Sequence, residues 1–234
     1  MSSEASHSRH GALIAIEGID GSGKGTQAAI LRDALIARGL KTKLISFPRY
    51  QETFFGARIG DFLNGRFGSL DEVHPFLAAT LFAGDRLESR PMLIEALETH
   101  DVVVLDRYVA SNIAHQAAKR TGDERRTLAQ WILNLEFSVN NLPRPDLAIL
   151  LDLPASTAQT LIAKKNARSY TDRAADLQEA DGVYLEDVRQ VYLALAAEDS
   201  RWSIIQVERE ERIRSIDQIS TEILQMTLAA LKRS

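Results

Sequence analysis

Residues 18–26 have the residue types and spacing of a phosphate-binding loop. They read Gly-Ile-Asp-Gly-Ser-Gly-Lys-Gly-Thr and follow the apolar run 12–16, which is typical of a buried strand. Glycines keep Cβ atoms away, so backbone N–H groups can converge on phosphate oxygens, and a helix opening near Lys24 adds unpaired N–H groups. Lys24 supplies a cation for the outer phosphates. We therefore predict a nucleotide-binding loop made of Gly18, Ile19, Asp20, Gly21, Ser22, Gly23, Lys24, Gly25 and Thr26.

The loop departs from the usual phosphate-binding pattern at Gly25. A Ser or Thr normally follows the lysine and contacts Mg²⁺, whereas here the hydroxyl comes one residue later, at Thr26. A glycine-rich turn without a ligand is the alternative interpretation. The lysine, the framing glycines and the strand-to-helix context together favour a bound nucleotide.

The composition restricts the class of protein. The chain has 234 residues, 45% of them hydrophobic, which suits one domain with a substantial core. A formal charge of −4 predicts no nucleic-acid-binding surface, and no apolar run approaches the ~20 residues that span a membrane. The absence of cysteine fits a reducing compartment, so we expect a cytoplasmic protein. Residues 1–10 are polar and are expected to form a flexible tail before a single domain, 11–234.

Short runs rich in Val, Ile and Leu predict the strands of a sheet. They lie at 13–16, 43–47, 102–105, 147–151 and 203–207, and helical patterns separate them. Continuous apolar strands are typical of a sheet covered on both faces, and their alternation with helices indicates parallel strands. We therefore predict an α/β protein with a three-layer P-loop fold, in which helices flank a five-stranded parallel sheet and a short lid is added.

The segment 164–176 interrupts this pattern, because it carries several cations and few apolar anchors. Its cations include Lys164, Lys165, Arg168 and Arg173. A solvated connection between helices explains such a charge run. A mobile lid that closes its cations over phosphates fits better in a chain that also has a phosphate loop, and we favour the lid.

Polar residues follow the strands at the edge of the sheet where ligands bind in parallel α/β folds. Asp106 and Arg107 come directly after the predicted strand 102–105. Asp106 resembles the acid that positions Mg²⁺ in phosphate-loop enzymes, and an N-cap for the helix starting near Val109 is the alternative. Arg107 is predicted to clamp a phosphate through its planar fork, and an ion pair with Asp106 or another acid is the alternative.

Two helical segments carry side chains suited to a nucleoside. Phe82 and Arg86 are four residues apart and share a helix face, which suits stacking on a base and contact with a polar group. Taken separately, they would be a core aromatic residue and a surface cation. The helix starting near Val109 carries a polar strip for hydrogen bonds to a base or sugar. The strip consists of Ser111, Asn112, His115 and Gln116.

Five blocks of this sequence resemble the thymidylate kinases, which are nucleoside-monophosphate kinases. The blocks are 18–26, Phe-Pro-Arg-Tyr at 47–50, Leu-Phe-Ala-Gly-Asp-Arg at 81–86, Asp-Arg-Tyr-Val-Ala-Ser-Asn at 106–112 and Leu-Pro-Arg-Pro-Asp at 142–146. The resemblance implies transfer of the γ-phosphoryl group of ATP to dTMP, giving dTDP and ADP, with Mg²⁺ as cofactor and a homodimer. A kinase for dUMP, CMP or AMP, or a non-catalytic nucleotide-binding protein, is the alternative.

The resemblance also implies roles for individual residues. Phe82 would stack on thymine and Arg86 would hydrogen-bond to it, while Asp20, Tyr50 and Arg107 would surround the acceptor phosphate. The Phe47–Pro48 bond would be cis. The predicted substrate-binding residues are Phe47, Pro48, Tyr50, Phe82, Arg86, Arg107, Ser111, Asn112, His115 and Gln116. The predicted catalytic residues are Asp20, Lys24, Arg107, Arg168 and Arg173, and the predicted metal-binding residues are Asp20 and Asp106.

Two positions depart from the family pattern. Some members carry Arg at the position of Gly21, so the cation for the transferring phosphoryl group must come from elsewhere in this chain. The lid residues Arg168 and Arg173 are the candidates. Many members carry Tyr at the position of His115, near the sugar, so we expect discrimination between deoxyribose and ribose to differ.

Overall fold

Five parallel strands form the central sheet of the computed structural model, in the order β2-β3-β1-β4-β5. The strands are β1 Ala12–Glu17, β2 Thr42–Ser46, β3 Val102–Asp106, β4 Leu147–Asp152 and β5 Trp202–Gln206. Each predicted strand matches an observed one to within one residue at either end. The predicted five-stranded parallel sheet is therefore confirmed.

The structure describes residues 11–69, 72–163 and 182–232. The predicted tail at 1–10 lies outside the described residues. So does the predicted lid at 164–176, together with Arg168 and Arg173.

Helices cover both faces of the sheet. They are α1 Lys24–Ile36, α2 Phe54–Leu63, α3 Pro75–Thr99, α4 Val109–Ala117, α5 Gly122–Leu133, α6 Ala155–Ala163, α7 Gly182–Glu198 and α8 Ile216–Leu231. A π-helix, Asn134–Val139, continues α5, and a short hairpin joins β6 Glu208–Arg209 to β7 Arg212–Ile213. Helix α1 packs on α8, while α4 packs on both α3 and α7, which gives two helical layers around the sheet.

The apolar strands form the core between these layers. All six residues of β1 are buried, and the four valine and leucine residues that open β3 are buried as well. At roughly 25 cal/mol per Å² of apolar surface removed from water, such strands supply the main driving force for the fold. None of the described helices is long and apolar enough to cross a membrane.

The topology brings two loops together at the carboxyl end of the sheet. Strand β1 pairs with β3 on one side and with β4 on the other, so the chain changes winding direction beside β1. Ile16 of β1 is in register with Asp106 of β3. The phosphate loop after β1 and the Asp106–Arg107 turn after β3 must therefore lie side by side.

Candidate active site

The phosphate loop ends on an uncapped helix N-terminus. Helix α1 begins at Lys24, and its N-cap, Gly23, has a left-handed backbone (φ 89°) and gives no side-chain hydrogen bond. The first turn of α1 contains no acidic residue. Its first backbone N–H groups and the positive end of its dipole are therefore available to an anion.

The backbone conformation at Gly21 disfavours a side chain at this position of the loop. Gly21 has φ +84°, and a Cβ atom added to it would lie 2.8 Å from the backbone oxygen of Ala158 in α6. Both the left-handed conformation and this close approach oppose a side chain. A cation for the transferring group must therefore come from another part of the molecule.

Lys24 is buried at the mouth of α1. Its Nζ donates a hydrogen bond of 2.7 Å to the backbone oxygen of Ile19. Burial, followed by repulsion from Arg107, lowers the pKa of Lys24 to about 7, although Asp20 and Asp106 act in the opposite direction. Lys24 is therefore only partly protonated at neutral pH without a ligand, and phosphate groups would favour its charged form.

Asp20 and Arg107 form an ion pair that joins the phosphate loop to the turn after β3. The Nη2 of Arg107 donates to Oδ1 of Asp20, so the sequence-based alternative of an ion pair with an acid is observed, with Asp20 as the partner. Burial opposes the charge of Arg107, but Asp20 and other nearby groups hold the pKa of its guanidinium well above the usual value. The Nη1 of Arg107 also donates to Ser111 Oγ at 3.2 Å.

Arg107 has a left-handed backbone, and a buried glutamate supports the turn it forms. Its φ is 68°, in a region that costs a non-glycine residue free energy unless the surroundings hold it there. The next residue, Tyr108, donates its backbone N–H to Glu17 Oε1 at 2.8 Å. Ser111 Oγ and Tyr192 OH donate to the other oxygen of Glu17, at 2.7 and 3.1 Å. Burial raises the pKa of Glu17 despite these hydrogen bonds.

Asp106 faces the phosphate loop and does not cap α4. The N-cap of α4 is Tyr108, which lies two residues after Asp106, so the N-cap alternative for Asp106 is wrong. The Oδ2 atom of Asp106 lies 3.0 Å from the position that a Cβ atom on Gly25 would occupy. The glycine after Lys24 therefore leaves room for this carboxylate to approach the start of α1.

A single carboxylate is a workable start for a magnesium site. Within the described residues, no group of three or more His, Cys, Asp or Glu side chains is placed to hold a metal ion. Mg²⁺ is usually held by one or two carboxylates together with water and substrate phosphates. Asp106 fits that requirement, whereas Oδ1 of Asp20 is already engaged by Arg107.

A cavity of about 340 Å³ opens beside the phosphate loop. All ten residues predicted to bind substrate line it, and so do Asp20 and Asp106. The Phe47–Pro48 peptide bond at its wall is cis. One end of the cavity is charged, at Asp20 and Arg107, and the other is formed by Phe82, Arg86, Asn112 and Gln116.

The aromatic end of the cavity contains buried amide atoms that no described residue pairs with. Phe82 is half-buried and packs edge-on against Phe62, with ring centroids 6.4 Å apart. Among the described residues, neither amide atom of Gln116 has a hydrogen-bond partner, and neither has Oδ1 of Asn112, although both side chains are buried. Unpaired buried polar atoms are costly, so their presence in a cavity indicates a ligand that satisfies them.

His115 lies between the two ends and is uncharged at neutral pH. Burial, followed by repulsion from Arg107, lowers its pKa to about 3. Its Nε2 is 3.5 Å from Nη1 of Arg107, and its Nδ1 is 3.3 Å from the hydroxyl of Tyr184. Because Arg107 can only donate, Nε2 must accept, and the proton is on Nδ1.

Sequence reasoning missed the residue that holds Arg86. Arg86 is 2% exposed, so the surface alternative for it is wrong. It pairs with Glu136 of the π-helix, which is fully buried. The available signal was a charged residue in the row Leu128, Ile132, Glu136 of an otherwise apolar helix face.

Fold and site together define a class of protein. The parallel sheet carries a phosphate loop, and an ion pair links this loop to the wall of a cavity that contains buried amide atoms. This is the architecture of a P-loop protein that binds a nucleotide and a second ligand. A family model described as Thymidylate kinase matches residues 16–218. The chain belongs to the thymidylate kinase family.

Individual relatives agree with the family match. The thymidylate kinase of Mycobacterium tuberculosis is 35% identical over 195 residues, which covers 82% of this chain and 90% of that protein. The thymidylate kinase of Leifsonia xyli is 35% identical over 218 residues, covering 92% and 93%. The solved thymidylate kinase of Candida albicans superposes with a TM-score of 0.75 at 28% identity, covering 95% of this chain and 94% of that one.

Proposed function

We propose that this protein transfers the γ-phosphoryl group of ATP to dTMP, giving dTDP and ADP. The observation that carries the proposal is the cavity beside the phosphate loop, with a charged end next to Lys24 and, at its aromatic end, buried amide atoms that no described residue pairs with. This arrangement fits an acceptor whose phosphate meets the loop while its base lies among the amides.

The charged end orients donor and acceptor. The start of α1 and Lys24 bind the ATP phosphates, and Arg107, Asp20 and Tyr50 surround the acceptor phosphate, one oxygen of which attacks the γ-phosphorus. Little covalent chemistry falls to the protein, because in-line placement and fixed cations supply most of the rate enhancement. When phosphate binds, Arg107 exchanges part of its contact with Asp20 for the ligand.

The aromatic end recognises the base. Phe82 stacks on thymine, Arg86 donates a hydrogen bond to it, and Asn112 and Gln116 satisfy their amides on the base and the adjoining nucleoside. Ser111 and His115 lie toward the sugar. The methyl group that separates thymine from uracil is worth only ~1–3 kcal/mol in an apolar pocket, so we expect activity with dUMP that is measurable but lower.

Asp106, with water and phosphate oxygens, would hold Mg²⁺, which supplies charge neutralisation for the phosphates. Gly25 supports this assignment because it leaves space beside the Asp106 carboxylate. Asp20 would contribute through water. Arg168 and Arg173 remain the proposed suppliers of the cation that the loop lacks at Gly21.

Three further proposals concern the whole molecule. Residues 11–234 act as one kinase domain, located in the cytoplasm, which the absence of cysteine supports. The protein forms a homodimer through the segments 73–97 and 128–139. Exposed apolar side chains in these segments, Leu77 and Val139 at 65% and 68%, support such an interface.

A coupled ADP-release assay with MgATP and dTMP, dUMP, CMP or AMP tests the proposed reaction. We expect the highest kcat/KM with dTMP. A preference for another monophosphate would overturn the substrate assignment. Binding of ATP without turnover of any monophosphate would contradict the kinase activity.

A further inference from the structure

Glu136 is a buried carboxylate behind the aromatic end of the cavity, where it contacts the lining residues Arg86 and Asn112, and the proposed mechanism gives it no role. We infer that Glu136 is a positioning residue that fixes which hydrogen-bonding groups the pocket presents to the base, and thereby selects a 4-oxo pyrimidine over a 4-amino pyrimidine. This inference rests on the proposed function, because it concerns the same base-binding end of the cavity.

Both carboxylate oxygens of Glu136 accept hydrogen bonds from residues that line the cavity. Its Oε2 accepts from Nε of Arg86 at 2.6 Å, and its Oε1 accepts from Nη2 of Arg86 at 2.5 Å. Oε1 also accepts from Nδ2 of Asn112 at 2.8 Å. One carboxylate therefore orients two side chains that line the cavity.

The first consequence concerns Arg86. A bidentate pair uses one edge of the guanidinium group and holds its plane. Among the described residues, no hydrogen bond uses Nη1 of Arg86, although the residue lines the cavity. Because guanidinium has no acceptor atom, Arg86 presents a donor to the ligand at a fixed position.

The second consequence concerns Asn112. Its Nδ2 donates to Glu136 and also to the backbone oxygen of Ala79, at 3.0 Å. Both of these partners can only accept, so the amide nitrogen must face them and the group cannot flip. The remaining atom, Oδ1, is buried and has no partner within the part of the chain that the structure describes, and it therefore presents an acceptor to the ligand.

A pocket that holds a donor and an acceptor at fixed positions prefers a base with the complementary hydrogen-bonding groups. Thymine and uracil carry an accepting oxygen at position 4 and a donating N–H at position 3, which complement Arg86 and Asn112. Cytosine carries the reverse, a donating amino group and an accepting nitrogen, and would leave buried groups unpaired. Gln116 does not add to this selection, because no hydrogen bond to a described residue fixes its amide, which can therefore turn either way.

The π-helix accounts for the position of Glu136. The backbone N–H of Asn140 donates to the oxygen of Leu135 at 2.8 Å, which is the wide i to i−5 pattern of a π-turn. Single π-turns within α-helices often mark functional sites. The buried residues of α5, Leu128 and Ile132, lead to Glu136 along one row, so the carboxylate lies on the buried face of this helix, where Arg86 and Asn112 reach it.

Glu136→Gln tests the inference, because the amide keeps the shape but replaces one acceptor by a donor. Either Arg86 loses a partner or Asn112 must turn its own nitrogen to the ligand. We expect the ratio of kcat/KM for dUMP over dCMP to fall by about tenfold or more. The ratio for dTMP over dUMP should stay unchanged, because the methyl group is recognised by apolar contact.

Ratios measured on one preparation do not depend on how much of the variant is folded. Glu136→Asp is the second variant: it retains the charge with a shorter reach, and we expect a smaller fall in the dUMP over dCMP ratio. Glu222→Gln is the matched control, since it removes the same charge from Glu222 on α8, which forms a 2.7 Å pair with Arg214. Its ratios and the KM for ATP in all three variants should equal those of the parent protein.

The outcomes separate this inference from the proposed function. If the parent protein turns over dTMP and Glu136→Gln keeps the parent dUMP over dCMP ratio, the positioning role is wrong and the kinase assignment stands. An equal loss with dUMP and dCMP would also overturn it, since it would indicate a purely structural role. If the parent protein does not phosphorylate dTMP, the proposed function itself fails.

Discussion

The two ends of the cavity each contain an arginine paired with a carboxylate, but the pairs are built differently. At the base end, Arg86 and Glu136 belong to helical elements and are joined by two hydrogen bonds, with side chains 2% and 0% exposed. At the phosphate end, Asp20 and Arg107 belong to two loops and meet through one nitrogen and one oxygen, with side chains 12% and 16% exposed.

This difference separates two tasks. A bidentate pair held by helices keeps its polarity before any ligand arrives, which suits recognition of a base. A single contact between loops can be exchanged for a contact with a phosphate. This suits Arg107, whose guanidinium group must stabilise negative charge on the substrate as the reaction proceeds. Substitutions at the base end should therefore affect stability and selectivity, and substitutions at the phosphate end should affect turnover.

The largest expected effect is on stability at the base end. Arg86→Gln leaves Glu136 buried and without its cation, and breaking such a pair costs about 3–5 kcal/mol. Urea unfolding monitored by circular dichroism measures the change in the free energy of unfolding. Arg201→Gln, which breaks the exposed 2.6 Å pair with Asp199, is the control and should cost at most about 1 kcal/mol. Equal losses in both variants would remove the distinction between buried and exposed pairs.

At the phosphate end the effect should fall on catalysis. Arg107→Gln removes the cation proposed to contact the acceptor phosphate, and we expect kcat/KM for dTMP to drop by about 10²–10³-fold. Steady-state kinetics measures this loss. The dUMP over dCMP ratio of the variant should remain that of the parent protein. If Arg107→Gln kept its kcat/KM for dTMP but changed the dUMP over dCMP ratio, Arg107 would act in base selection and its assignment to the phosphate end would be wrong.

A pH effect of intermediate size should come from His115, between the two ends. Its pKa is about 3 in the folded protein and about 6.5 when unfolded, so the unfolded chain binds an extra proton between these values. Stability is therefore lost as pH falls below 6.5, by about 2 kcal/mol between pH 7 and pH 5. Urea unfolding at pH 7 and pH 5 measures the free energy of unfolding at each pH. The difference between the two values should be smaller by this amount in His115→Gln than in the parent protein. Parallel losses in parent and variant would contradict a buried neutral histidine.

The smallest expected effect concerns Lys24 and its protonation on binding ATP. Its pKa of about 7 without ligand should rise beside phosphates, so binding takes up a proton above pH 7. Affinity for ATP should fall roughly eightfold between pH 7.5 and 8.5. Calorimetry in buffers with different ionisation enthalpies detects the proton directly. Lys24→Arg, whose cation stays charged, should show a much flatter pH dependence, and a parent protein without proton uptake would contradict the lowered pKa.

Much of the fold and of the cavity wall was predictable from sequence, because it depends on local patterns. Continuous apolar runs predicted the positions of all five strands, and the alternation of these runs with helices predicted that the strands are parallel. The polar residues after β1 and β3 lie together because the carboxyl ends of parallel strands share an edge. The resemblance added Tyr50 and the cis bond at Phe47–Pro48, and all of the predicted substrate residues line one cavity.

Other features depended on which distant segments come into contact. The partner of Arg86 lies 50 positions away at Glu136, and that of Arg107 lies 87 positions away at Asp20. The neutral state of His115 follows from burial and from Arg107, which no local pattern specifies. The β6–β7 hairpin was missed because Glu210 and Glu211 take positive φ without the usual glycine or asparagine signal.

The sequence by itself determined the strands, the phosphate loop and the residue types at the site, since these follow from hydrophobic periodicity and short-range spacing. Only the tertiary structure decided which charges pair, which amides stay unpaired and which groups lose their proton. Those properties depend on desolvation and on distances between segments far apart in the chain, and such distances exist only after folding.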